Sequence, residues 1–444
     1  MVFFILMLFS WQLYAQDSKS TVETQWLQKQ YITIKEAKDH SQDYSEVSLK
    51  WNYLKTQSHW DRQLDGQVFV SVGRRAEVYP HIQNVNFKYK LNDSSFEVGR
   101  VQKSWSFVDR VWALGLWEPS LKVDGFQFNR EGLTGFYYNQ NFQSWNLTIF
   151  ASPIFAPDQG PQVKVEQGKL VSYNRWFYNR VASVQIGEIE SPLKYELEKP
   201  EFEDVIFNPS YAFDLGWGRD SEGGSVHFAF ADKPINQLFI GVQPIHNIGL
   251  SNVNRETKIY LFPEVHRHKL YTMEIAYGLS SWNMWMSLNV DEPYKEALDP
   301  RWIAPDFVRE EIYSVGFNTQ WAKNIIGISY LKNISEEPEV ASAFQSEDLS
   351  SLSDRYVFNE VTQLSYQRNE SLGKLGKLKF DLRWIRSIAS NADMLSAKWE
   401  YSYFKNWTWI FGGDVIGTNK EDNNDFFAKN RSNDRIYGGM NYVF

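Results

Sequence analysis

Apolar and polar side chains alternate with a period of two along much of this chain. In 282–290, Trp282, Met284, Met286, Leu288 and Val290 fall on one face against Asn283, Ser287 and Asn289, and only Trp285 breaks the polar face. In 311–321, Tyr313, Val315, Phe317, Thr319 and Trp321 alternate with Ser314, Gly316, Asn318 and Gln320. Segment 377–384 alternates without a miss, Leu378, Phe380, Leu382 and Trp384 against Lys377, Lys379, Asp381 and Arg383. The same period runs through 395–403 and 407–415 and, earlier, through 47–53, 85–91, 145–151 and 211–217, with 256–262 and 270–278 as further candidates. A period of two is the signature of strands with two different faces. Each segment is close to the about 9–11 residues that a tilted strand needs to cross a bilayer. The aromatics Trp282, Trp321, Trp384 and Trp407 stand near strand ends, where amphipathic rings favour the headgroup level.

The two ends of the chain bear on where such strands would sit. Met1–Phe9 is the only long apolar run, continuing through Leu13-Tyr14-Ala15 and followed at once by polar Gln16-Asp17-Ser18-Lys19. It is too short to span a bilayer as a helix and has the length of a signal-peptide core, so 1–15 is expected to be a signal peptide. At the other end, counting back in twos from Phe444 gives Tyr442, Met440, Gly438 and Ile436. This resembles the last strand of Gram-negative outer-membrane β-barrels, which ends on an aromatic residue. The resemblance covers about ten residues. It implies an all-β, transmembrane antiparallel barrel over 44–444, with Ile436, Met440, Tyr442 and Phe444 as the signal read by the barrel-assembly machinery. It also implies outer-membrane lipid and lipopolysaccharide as surroundings.

Loop lengths give an orientation. With Phe444 in the periplasm, 417–433, 386–392, 333–354 and 291–310 fall outside, and 404–406, 322–324 and 279–281 become tight inner turns. Short periplasmic turns and longer external loops are what such barrels show. The candidates number 16–22, and an even count of about 18 keeps both termini on one side. A barrel of that size is too wide to be filled by wall side chains alone. Residues 16–43 read as a periplasmic tail or a small plug, and 101–120 and 152–180 as inward segments.

Composition narrows the chemistry. The chain has 444 residues, no Cys, 46 basic and 54 acidic side chains, and 18 Trp. Zero Cys excludes disulfides, thiol nucleophiles and iron–sulfur clusters. The acidic balance with no basic run argues against nucleic acid. Mean hydropathy is negative, which excludes a helical membrane bundle while fitting alternating strands. No HExxH, GxSxG, GxxxxGK[ST] or GxGxxG string is present, so no catalytic residue, metal site or cofactor is expected. His266-Arg267-His268 reads as a solvated external loop between candidate strands, and His227 as lumen-facing. The acids Glu336, Glu337, Glu339, Glu347, Asp348 and Asp354, and Glu421–Asp425, read as solvated loop carboxylates.

The candidate functional residues are therefore those expected to face the lumen. Lys379, Asp381 and Arg383 share a strand whose hairpin partner carries Lys398 and Glu400; they read as a salt ladder that also biases ion passage. Arg100, Lys103, Trp105, Asp109 and Arg110 crowd a stretch rich in Trp and charge that could fold inward as a constriction. The sequence predicts a porin-like channel for passive or selective passage of small polar solutes or ions, not an enzyme. The rival is a gated or plugged barrel serving secretion, polysaccharide export or surface assembly with a periplasmic partner. A homo-oligomer is open.

Overall fold

The computed structural model describes residues 18–32, 40–177, 183–186, 189–218, 223–246, 257–295, 307–336, 355–404, 406–418 and 426–444. The expected signal segment 1–15 lies outside them. So do the acids of 337–354 and Glu421–Asp425.

Eighteen strands form the wall. In chain order they are β1 Ser18–Tyr31, β2 Asp43–Thr56, β3 Trp60–Val72, β4 Ala76–Leu91, β5 Ser94–Val101, β6 Leu133–Phe142, β7 Trp145–Ser152, β8 Ser210–Gly218 and β9 Gly223–Pro234. They continue with β10 Arg267–Leu279, β11 Trp282–Pro293, β12 Glu310–Trp321, β13 Asn324–Ser335, β14 Glu360–Ser371, β15 Lys377–Ser387, β16 Ala392–Ser402, β17 Trp407–Thr418 and β18 Arg435–Val443. Each pairs antiparallel with the next, and β1 pairs with β18 from Tyr31 opposite Arg435 to Glu23 opposite Val443. Every edge is thereby paired, the condition for a sheet to stand in hydrocarbon. The terminal Phe444 N–H donates to Val22 O across the same seam.

Burial runs opposite to that of a soluble protein. Met273, Ile275 and Tyr277 of β10, Met284 and Met286 of β11, Val315 and Phe317 of β12 and Ile326 and Ile328 of β13 are each 40–56% exposed. Their inward neighbours Thr272, Glu274, Ser287, Asn289 and Ser314 are buried. A contiguous apolar outer belt over a polar interior belongs in a bilayer. Rings gather where the belt meets the short-turn end: Trp60 against Tyr89 at 4.2 Å, Trp407 against Tyr442 at 4.7 Å and Trp282 against Phe317 at 6.2 Å. Trp384 lies near the opposite end of β15.

The connections sort by end. Those at 57–59, 92–93, 143–144, 219–222, 280–281, 322–323, 372–376 and 403–406 join strands at the end that also holds Ser18 and Phe444. The long connections 102–132, 153–209, 235–266, 294–309, 336–359 and 419–434 all lie at the other. The count of 18 and the loop asymmetry agree with the sequence reading.

Three expectations are corrected. Residues 18–31 are no tail or plug but the first wall strand. Their alternation is hidden because Leu27 and Tyr31 point inward while Gln28 and Gln30 take the other face. Candidate 256–262 is a strand, Thr257–Glu264, but it belongs to a separate four-stranded sheet built from the long connections, where it pairs in parallel with Ile189–Leu197. Finally, His266-Arg267-His268 is not a solvated loop: His266 and His268 are buried, and His268, at the start of β10, has its Nδ1 2.6 Å from Asp291 Oδ1 of β11.

Candidate functional site

The connection 102–132 turns into the lumen. Ser106 caps a short helix, α1 (Phe107–Trp112), its hydroxyl accepting from Val108 N–H at 3.1 Å and donating to Glu274 Oε1 of β10 at 2.9 Å. Phe107 N–H donates to the same carboxylate at 2.6 Å. Trp112 Nε1 donates to Ser314 of β12 and Trp117 Nε1 to Thr272 of β10, each at 3.0 Å. Trp105 and Trp117 stack at 5.0 Å, and α1 thus lies on the inner face of β10–β12. The helix stops at Ala113 in the left-handed region, φ 52°.

This places the sequence-predicted residues in two groups. Trp105, 2% exposed, and Asp109, whose carboxylate accepts from Leu116 N–H and Trp117 N–H, form the insert's own core and do not line a path. Burial pushes the Asp109 carboxyl up, with those two N–H donors opposing. Arg100 also holds structure. It stands opposite Val85 at a register that would face lipid, but Gly99 at φ 124° turns the backbone. The guanidinium then reaches Glu131 Oε2 at 2.9 Å and Gly132 O. A Cβ at Gly99 would sit 2.1 Å from Val85 O, so a side chain is excluded there. Lys103 donates to Asn139 Oδ1 at 2.8 Å and pairs with Glu97 at 3.5 Å.

The second group surrounds open space. A cavity of about 490 Å³ lies between the insert, which contributes Arg110, Val111 and Gln127, and the wall, which contributes Asp381, Arg383, Lys398 and Asp414. Arg383 bridges the two: Nε donates to Gln363 Oε1 at 2.7 Å, and Nη2 reaches Val111 O at 3.4 Å. The register sets Lys379 opposite Glu400 and Asp381 opposite Lys398, as the hairpin predicted. The shortest ion pairs nevertheless run along each strand, Lys379–Asp381 at 2.8 Å and Lys398–Glu400 at 2.5 Å. Lys379 and Glu400 do not line the cavity.

The sequence reading missed the residues that fix the insert's far end. Strand Ser120–Asp124 pairs with Gln127–Arg130 in a hairpin whose Asp124 reaches β1 and β18. Burial pushes the Asp124 carboxyl up, but the Arg435 and Lys29 charges outweigh it and hold it well below the usual carboxylate range. Glu118, 1% exposed, accepts from Lys103 N–H at 2.6 Å, and burial raises it to about 8. Segment 153–177 closes over the hairpin. Asn174 donates to Val123 O, and Arg175 donates to Asn433 Oδ1 and Ser432 O. Of the segment 152–180 expected to run inward, Asp158–Gln159 and Ser172–Phe177 meet the insert, whereas Lys164–Glu166 and Lys169–Val171 form a hairpin against Ile189–Leu197 of the outer sheet.

His227 faces the lumen as expected, Nε2 2.5 Å from Asp214 Oδ2 and Nδ1 3.4 Å from Glu274 Oε2. Ser106 donates to Glu274 rather than to this imidazole, so the group ties α1 to the wall. Among the described residues, no group of three or more His, Asp or Glu side chains is placed to hold a metal ion.

No family model and no curated protein matches the sequence. Solved structures do match in shape. OccD3 (OpdP) of Pseudomonas aeruginosa shares 9% identity over 97% of this chain and 92% of its own, with a TM-score of 0.50. OccAB3 of Acinetobacter baumannii shares 10% over 97% and 100%, also at 0.50. A BenF-like porin from Pseudomonas fluorescens Pf-5 shares 11% over 97% and 99%, at 0.49. At such identity the likeness establishes the fold.

Proposed function

We propose that this barrel is an outer-membrane channel of a Gram-negative bacterium, passing small polar solutes or ions by diffusion through a lumen narrowed by 102–132. The observation that carries the reading is the cavity of about 490 Å³ left between insert and wall, lined by charges of both signs. Arg110, Arg383 and Lys398 face Asp381 and Asp414 there. Asp414 pairs with Arg435 at 2.7 Å, Asp381 with Lys379 at 2.8 Å and Lys398 with Glu400 at 2.5 Å, whereas Arg383 bonds the neutral Gln363 and Val111 O. The field in the passage is therefore weighted toward positive charge, which favours anions. On this reading the chain acts as a conduit, with lipid and lipopolysaccharide around the belt. The assembly machinery reads Ile436, Met440, Tyr442 and Phe444.

Single-channel recording in a planar bilayer under a salt gradient tests it. The expected result is steady small openings with a reversal potential of anion-preferring sign, moved toward cation preference by Arg383→Gln. Silence from a demonstrably folded barrel would overturn the channel. It would leave a plugged scaffold, a reading favoured by the closure of 172–177 over the insert.

A further inference from the structure

The hairpin at the tip of the insert carries one carboxylate with two separate attachments. Asp124 Oδ1 accepts from Phe126 N–H at 3.0 Å, which sets the turn. Asp124 Oδ2 accepts from Lys29 Nζ at 3.0 Å and from Arg435 Nη1 at 2.6 Å. Lys29 stands on β1 and Arg435 on β18, the first and last strands of the wall, and these two strands close the barrel against each other. Asp124 is 7% exposed, Lys29 2% and Arg435 1%.

The wall partners do not depend on Asp124 for their own neutrality. Lys29 pairs with Glu46 of β2 at 2.6 Å, and Arg435 pairs with Asp414 of β17 at 2.7 Å. Two bases and two acids are thus matched within the wall, and the insert adds a fifth charge across the seam. The hairpin's other attachments are of different kinds. Leu121 and Val123 pack on Tyr79 and Phe69, Val123 O accepts from Asn174, and Lys122 pairs with Asp158 at 2.7 Å.

The hairpin also separates two spaces. Gln127 and Asn129 line both the cavity of about 490 Å³ and a smaller void of about 60 Å³ on the Lys29–Tyr44 side.

We propose that Asp124 is the positioning residue that sets the width of the passage, latching the tip hairpin to the seam between β1 and β18. Because both seam strands supply a partner, the constriction takes its final position only when the barrel is closed. The statement about width rests on the channel reading; the latch itself does not.

The chain has no cysteine, so Val123→Cys, on the hairpin face buried against Tyr79 and Phe69, reports the hairpin's lifting by reaction with a water-soluble maleimide. Adding Asp124→Asn is expected to speed labelling roughly ten-fold, the change that about 1.4 kcal/mol of lost holding energy gives. It is also expected to raise single-channel conductance, with the barrel still folded by its heat-dependent mobility in detergent gels. Asp124→Glu, which keeps the charge, is expected to restore slow labelling at least in part. Unchanged labelling in a folded Asp124→Asn barrel overturns the latch. So does failure of that variant to form a barrel, since the wall pairs stand without Asp124. If labelling responds while the parent barrel never conducts, the channel reading falls and the latch remains.

Discussion

At the scale of single residues, a charge inside this lumen is judged by its immediate partners. Glu118 is the clearest case. Its ordinary carboxyl value of 4.5 is raised to about 8 by burial, against the opposing Lys103 N–H and the Arg130 charge. A carboxyl raised on folding stabilises the fold fully below about pH 4.5. That contribution is lost as pH rises toward about 8, because over this window the unfolded chain has released a proton that the folded one retains. Glu118→Gln keeps an acceptor for Lys103 N–H and has nothing to ionise. It is expected to match the parent at pH 4.5 and to exceed it in thermal midpoint at pH 8.5, followed by circular dichroism. The order of the gain is a few kcal/mol, at about 1.4 kcal/mol per pKa unit. Equal midpoints at both pH values would show that Glu118 is not held neutral. The same scale explains why Trp105 and Asp109 look like pore residues in sequence and are not. A segment crowded with rings and charges reads alike whether those groups line water or one another, and only the pairing of Asp109 with Leu116 N–H and Trp117 N–H decides it.

At the scale of elements, the wall was legible because its signal is local. Whether a strand residue faces lipid or lumen is settled by its two chain neighbours, so β11, β12, β15 and β17 could be placed from period two alone. Where the inner face meets apolar insert or seam, the alternation fades. Leu27 of β1 turns inward to pack with Ile410 and Tyr437, and that strand was taken for a tail. The insert's anchors were illegible for a further reason: Asp124 finds Lys29 across 95 positions and Arg435 across 311, and no local pattern spans such distances. Period two makes its own prediction. Met286, 56% exposed, sits on the outer face of β11 between Ile275 and Val315. Met286→Arg is expected to cost about 2–4 kcal/mol in folding into liposomes, as for a cation near the bilayer midplane. A denaturant titration showing no loss would remove this face from the hydrocarbon.

At the scale of the whole molecule, the sorting of connections by end is an argument about orientation that no single strand carries. Every connection at the end that holds Ser18 and Phe444 is five residues or shorter, and every long connection, with the four-stranded sheet and helix α2 (Phe202–Ile206), stands at the other end, where only 73–75 and 388–391 are as short. The short turns hold no more than the single 3-10 turn at Gly373–Leu375, whereas the long connections supply the insert, its cover and an outer sheet. If assembly leaves the short turns in the periplasm, as is general for such barrels, α2 faces the cell exterior and the 322–323 turn faces inward. The exposed Glu203 of α2 and the exposed Lys323 of that turn are then on opposite sides of the membrane. In this cysteine-free chain, Glu203→Cys is expected to react on intact cells with a polymer-linked maleimide too large for the lumen. Lys323→Cys is expected to react only once the outer membrane is opened. The reverse order would invert the barrel, set the insert at the periplasmic mouth and require solutes to meet the Asp124 hairpin last rather than first.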